Sequence, residues 1–194
     1  MNIAKNLAIA VLMTIVTTLL LGVAYPLLVT AVAQALFPNE ANGQLIRRDG
    51  RVIGSSILGQ RFSAPGYFHG RPSAAGNGYD AASSGGTNLG PTNRLLIQSV
   101  EERVAAARQE NPGVPVPIDL VTSSGSGLDP DISPDAAAFQ IPRIARARHT
   151  SESAVRQLVA SHVDGRQFGF LGEPRVNVLR LNLALDERFP PASQ

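Results

Sequence analysis

Cysteine is absent from the 194 residues, which excludes disulfides and thiolate metal sites and leaves the redox compartment open. Lysine is nearly absent. Lys5 is the only one, and it precedes a long apolar run. The rest of the chain can therefore hold neither a G-x-x-x-x-G-K-[ST] phosphate loop nor a Schiff-base lysine. A charge excess of one sign is also lacking. Beyond residue 37, sixteen arginines face fifteen carboxylates, and no basic patch interleaved with aromatics is visible, so nucleic acid is not an expected partner. There is no internal repeat, no H-E-x-x-H zinc helix and no G-x-S-x-G nucleophile elbow.

What the chain does have is Leu7–Phe37, thirty-one residues without a charge. As a helix this run is about 46 Å long, against a hydrocarbon core of about 30 Å. It spans a bilayer with turns to spare, and Pro26 predicts a bend near Tyr25. Ala31-Val32-Ala33 and Ala33-Gln34-Ala35 resemble signal-peptidase sites. A signal h-region is nevertheless only about 7–15 residues long, so a retained anchor is the better reading. Lys5 lies on one side of the run and Arg47, Arg48 and Arg51 on the other, so the positive-inside rule leaves orientation open. Thr14, Thr17, Thr18, Gly22, Ala24, Tyr25 and Pro26 are candidates for packing against neighbouring transmembrane helices.

The expected organisation is a tail over residues 1–6, a transmembrane helix over 7–37 and one α+β (mixed) soluble domain with long ordered loops over 38–194. Asp49-Gly50 predicts a tight hairpin. Residues 54–93 form a long irregular region, and its interspersed Phe62, Tyr67, Phe68 and Tyr79 argue for order rather than disorder. Arg94–Glu110 reads as a helix with Leu96, Val100, Val104 and Ala107 on one face. Val116–Val121 reads as an edge strand despite Pro117. Ser133-Pro134-Asp135 opens a helix that Pro142 interrupts or restarts. Thr150 caps the next helix, whose stripe of Val155, Leu158, Val159, His162 and Val163 ends at Asp164-Gly165. In Arg175–Leu185 the apolar phase slips at Val178-Leu179, which fits either a bulged strand or a helix.

The chemistry on offer is thin. None of His69, His149 and His162 has metal-ligand spacing. Asp129 and Asp131 alternate as in a calcium loop, but Pro130 and Pro134 interrupt the register. Ser84-Gly85-Gly86-Thr87-Asn88 is a candidate anion cradle, with positive φ expected at the two glycines. A membrane-tethered extracytoplasmic hydrolase using His69 or His149 is the alternative function.

Several longer motifs add to this reading. They are Gly59-Gln60-Arg61-Phe62, Gly66-Tyr67-Phe68-His69-Gly70-Arg71-Pro72-Ser73-Ala74, Ser84-Gly85-Gly86-Thr87-Asn88, Ser126-Gly127-Leu128-Asp129, Gln140-Ile141-Pro142-Arg143, and Leu181-Asn182-Leu183-Ala184-Leu185-Asp186. In order, they resemble the C subunit of the Kdp-type potassium-transporting ATPase, the KdpC family. Thr87 stands where that family more often has Ser. The resemblance implies an accessory subunit rather than an enzyme, in a bacterial inner-membrane complex, with its soluble domain outside the cytoplasm. Its implied partners are the P-type ATPase catalytic subunit, a potassium-channel-like subunit and the lipid bilayer. The implied role is assembly of the pump and service as a catalytic chaperone that raises the ATP affinity of the ATPase subunit. No covalent cofactor is implied; ATP would be met through the complex, and potassium is the transported ion. The resemblance further implies nucleotide or partner contacts at Ser84, Gly85, Gly86, Thr87, Asn88 and Gln140.

Overall fold

A computed structural model describes residues 2–191. The chain forms two compact units, residues 1–45 and 46–194. The first is dominated by one apolar helix of 34 residues, Ile3–Leu36. It comprises α1 (Ile3–Thr17), a π-helical stretch (Thr18–Ala24) and α2 (Tyr25–Leu36). The helix starts earlier than the uncharged run because the Asn2 side chain caps it, accepting from the Lys5 N–H at 3.4 Å. Ahead of Pro26 the Tyr25 N–H bonds Leu20 O, five residues back. The wider π turn takes up the register change imposed by a proline that has no N–H to give. A single-turn helix, α3 (Pro38–Ala41), follows.

The second unit opens on the expected hairpin, β1 (Leu45–Arg48) and β2 (Arg51–Ser55). Asp49 (φ 52°) and Gly50 (φ 76°) adopt the two left-handed conformations that a type I′ turn requires. No helix or strand occurs from residue 56 to residue 93, yet this belt buries Phe68 and Ala75 completely. Helix α4 (Arg94–Glu110) is capped by Asn93, which accepts from Leu95 N at 2.9 Å. It contains no fully buried residue. Val116–Val121 is not a strand. Pro115 and Pro117 supply no ladder donors, and the segment closes into a 3₁₀ turn over Ile118–Leu120.

The core lies under α5 (Pro134–Ala147), α6 (Glu152–Ala160), α7 (Val178–Arg188) and a small antiparallel sheet. That sheet has the order β3 (Asp131–Ile132), β5 (Arg175–Asn177), β4 (Val163–Asp164), with Ile132 and Val163 both opposite Val176. Ile141, Ile144, Val155, Val176, Leu181 and Leu185 are fully buried. Ser133 caps α5, accepting from Ala136 N at 3.1 Å. The helix runs through Pro142 rather than breaking, because Ile141 and Ile144 on either side are both held in the core.

Three boundaries shift for identifiable reasons. Ser151, not Thr150, caps α6, because Thr150 completes the C-terminal turn of α5 by donating to Ala145 O at 3.0 Å. Helix α6 ends at Ala160, and His162 and Val163 lead into β4 instead of continuing it. The slip at Val178-Leu179 marks a change of period from 2 to 3.6. Strand β5 ends on Asn177, and that residue caps α7 by accepting from Arg180 N at 3.1 Å.

Candidate functional site

The motif residues converge on one another. Residues 65–69 of the irregular belt are gripped by side chains from α5 and α7. Asn182 accepts from the Phe68 N–H at 2.8 Å and donates to Phe68 O at 2.9 Å. Gln140 does the same for the next residue, accepting from His69 N at 2.8 Å and donating to His69 O at 3.1 Å. Two side-chain amides thus replace the neighbouring strand that this extended backbone lacks. Arg143 donates to Pro65 O, to Tyr67 O at 2.9 Å and to Glu110 at 2.8 Å. Arg148 donates to Gly66 O at 2.8 Å and to Asp186 at 2.7 Å, and its guanidinium lies 4.6 Å from the Tyr67 ring centroid. The Tyr67 hydroxyl reaches the other Asp186 oxygen at 3.1 Å.

This geometry sets what Gln140 has to offer. The side chain is 2% exposed. Its oxygen accepts from His69 N and from Arg143 Nη2 at 2.7 Å, and its nitrogen donates to His69 O and to Ala136 O at 3.2 Å. Both lone pairs and both N–H groups of the amide are engaged. The cavity beside it, lined by His69, Arg103, Glu110 and Gln140 among others, holds about 260 Å³.

Ser84–Asn88 belongs to a second cluster. The Gly85 N–H donates to Ser126 O at 2.8 Å, and the Ser84 hydroxyl reaches the same carbonyl at 3.1 Å. The Ser73 hydroxyl donates to Gly127 O at 2.5 Å and accepts from Tyr79 N at 2.7 Å. Three loops are thereby laced together, around residues 73–79, 84–88 and 123–129. The glycine on which they close is Gly127 (φ 66°), where a Cβ would stand 2.7 Å from both Ala75 N and Gly85 O. Gly85 and Gly86 are not in the positive-φ region; Asn88 is, at φ 54°. Gly86 is instead required by close approach, since a Cβ there would meet Gly125 O at 3.0 Å, whereas Gly85 faces open space. Thr87 and Asn88 stand at the surface. Among the described residues, the hydrogen-bond partners of Gln140 lie on α5 and at His69, not in this cluster.

Ionisable groups follow the same structural logic. The His69 ring is within 3.1 Å of Ala64 O, and burial followed by the Arg143 charge pushes its pKa below the ordinary 6.5. His149 (φ 52°) is the exposed left-handed residue that closes the C-terminus of α5. The His162 ring contacts Leu158 O at 2.9 Å and Ser161 Oγ at 3.2 Å. Asp129 pairs with Arg71 at 3.0 Å. Asp131 receives Asn177 Nδ2 at 3.0 Å and Arg175 at 3.1 Å, with burial pushing its pKa up. Among the described residues, no cluster of three or more His, Cys, Asp or Glu could hold a metal.

In the apolar helix, Thr14 donates to Ala10 O at 2.9 Å and Thr17 to Met13 O at 2.7 Å. Both hydroxyls are therefore satisfied without a second helix. Gly22 leaves an open notch, where a Cβ would have only Thr18 Cγ2 at 3.8 Å. Thr18, Ala24, Tyr25 and Pro26 are exposed along the same stretch.

Sequence reasoning missed the amide clamp: Gln140 and Asn182 were visible only as parts of motifs, and nothing in their spacing names a backbone target 71 or 114 residues away. The comparisons with known proteins agree with the motifs. A family model described as KdpC, K+-transporting ATPase, c chain, matches residues 7–187. The potassium-transporting ATPase KdpC subunit of Koribacter versatilis is 60% identical over 186 residues, covering 96% of both chains. That of Acidobacterium capsulatum is 60% identical over 183 residues, covering 94% of this chain and 98% of the relative. The one from Caulobacter vibrioides is 61% identical over 179 residues, covering 91% of each. With a matching model over nearly its full length and relatives of this identity, the chain belongs to the KdpC family.

Proposed function

We propose that the chain is an accessory, non-catalytic subunit of an ATP-driven potassium uptake complex. In this reading it is anchored by Ile3–Leu36 with its soluble domain on the extracytoplasmic side of the inner membrane. It supports assembly with the ATPase catalytic subunit and the potassium-channel-like subunit, and it raises the ATP affinity of the former. One observation carries this. The polar motif residues Gln140, Arg143, Arg148, Asn182 and Asp186 all hold residues 65–69 of their own domain. They build a surface rather than aim at a substrate.

Within that reading Gln140 is a positioning residue, and Thr87 and Asn88 are the part of the Ser84–Asn88 loop presented to a partner. ATP is then bound by the complex rather than held by this domain alone. Thr14, Thr17, Thr18, Gly22, Ala24, Tyr25 and Pro26 form the face that packs in the membrane, with Gly22 as the notch. The hydrolase alternative through His69 or His149 has no geometric support, because the ring partner of His69 is a backbone carbonyl rather than a carboxylate, and His149 is the exposed left-handed residue that closes α5.

The test is to purify the potassium-pumping complex with and without this chain and measure how ATPase activity depends on ATP concentration. The KM for ATP is expected to rise when the chain is missing. An unchanged KM in a fully assembled remainder would refute the chaperone role. Substituting Thr87 and Asn88 together is expected to weaken co-purification while leaving the isolated chain folded.

A further inference from the structure

The β1–β2 hairpin makes little sense in water alone. It is two-stranded, and its residues are exposed or half-exposed until Ser55. A hairpin of this kind without a third strand or a covering layer is only marginally stable. Val52 and Ile53 are 48% and 36% exposed. Arg47, Arg48 and Arg51 are exposed as well. The ion pairs among the described residues use Arg71, Arg143, Arg148, Arg166 and Arg175, and none of these three. A single carboxylate, Asp49, sits at the turn. Something that is both anionic and apolar would complete the hairpin.

The chain itself brings such a surface near. Only eight residues, 37–44, separate the end of the apolar helix at Leu36 from the start of the hairpin at Leu45, a tether of at most about 30 Å. We propose that the β1–β2 hairpin lies in the headgroup layer of the bilayer. Arg47, Arg48 and Arg51 bind lipid phosphates there, and the ribbon stands on its β2 edge, so that Val52 and Ile53, which point to opposite faces of the strand, both reach the acyl boundary. A guanidinium matches a phosphate in bidentate fashion and sheds water more readily than an ammonium. Each arginine near an anionic surface is worth about fivefold in the bound-to-free ratio, so the three together give about hundredfold.

This rests on the membrane-anchored reading, and the experiment separates the two. The chain has no native cysteine, so a Val52→Cys variant of the full chain carries one nitroxide. It is placed in nanodiscs of phosphatidylcholine with or without phosphatidylglycerol, and accessibility to oxygen and to a water-soluble nickel reagent is measured. Failure to enter discs would sink the anchor itself. In discs, the label is expected to become protected from nickel when phosphatidylglycerol is present and to be released by raised salt. Combining Arg47→Gln, Arg48→Gln and Arg51→Gln should lower the bound-to-free ratio about hundredfold. Asp49→Asn, which suits the left-handed turn position, should raise it about fivefold. A label equally exposed to water in both lipids overturns the proposal, as does displacement by inorganic phosphate. Protection that appears only when other subunits are added overturns it in favour of an acidic protein surface.

Discussion

Replacing Asn182 by Leu is the sharpest test of the clamp. The two side chains have similar volume, so little cavity term enters. What disappears is both hydrogen bonds to Phe68, at 2.8 and 2.9 Å. Phe68 is 0% exposed and Asn182 1%, so water cannot replace either bond without opening the belt. A buried backbone group left without a partner costs about 1–3 kcal/mol. Two of them give about 2–6 kcal/mol, a large share of a typical domain stability of about 5–15 kcal/mol. Urea denaturation of the full chain in mild detergent, followed by tyrosine fluorescence, should show this loss. Hydrogen exchange localises it, since the Phe68 amide should lose at least about tenfold protection per 1.4 kcal/mol. Gln140→Leu should behave similarly at His69. Because the two amides hold adjacent residues, the double variant should cost less than the sum of the singles once the segment is released. A shift below about 1 kcal/mol with Phe68 protection intact would refute the clamp as a source of stability.

Other outcomes follow from single positions. Gly127→Ala forces a Cβ into left-handed backbone and to within 2.7 Å of two backbone atoms, so it should lose about 2–4 kcal/mol. Gly85→Ala, with open space around it, should shift the urea midpoint hardly at all; equal losses at both sites would sink the packing argument. His149→Gly relieves a non-glycine left-handed residue and should stabilise the chain by about 0.5–1 kcal/mol in the same titration. His69 has a folded pKa below its unfolded 6.5. Its neutral form is thus the one the fold favours, and its contribution, complete above pH 6.5, is lost as pH falls through the lower folded value. Comparing urea midpoints of wild type and His69→Gln at pH values on either side of 6.5 should show a steeper acid-side decline for the wild type, and parallel profiles would count against it.

The sequence disclosed local rules more readily than distant ones. The apolar helix, the Asp49-Gly50 turn, the Arg94–Glu110 helix and the Ser133-Pro134-Asp135 helix start each rest on chemistry within a few residues, and each is found. Where tertiary packing outbids local preference the reading drifts. Pro142 stays inside a helix because Ile141 and Ile144 are buried around it. Val116–Val121 fails as a strand because Pro117 within it and Pro115 just before it leave too few donors. The Ser84–Asn88 loop was visible as glycine-rich. Its reason was not, because the constraint comes from Gly125 and Ser126, some forty residues away. The site residues were thus legible as motifs before they were legible as contacts.

The amide grip on residues 68 and 69 also orders events in time. Its two halves come from Gln140 and Asn182, 71 and 114 residues further along the chain. Closing loops of that length is entropically costly before any contact rewards it. The belt therefore cannot lock until α7, the last helix among the described residues, has docked on α5 and α6. A chain emerging from its N-terminus keeps residues 56–93 open until α7 has been made, and the same helix is the first handle by which the belt would be released.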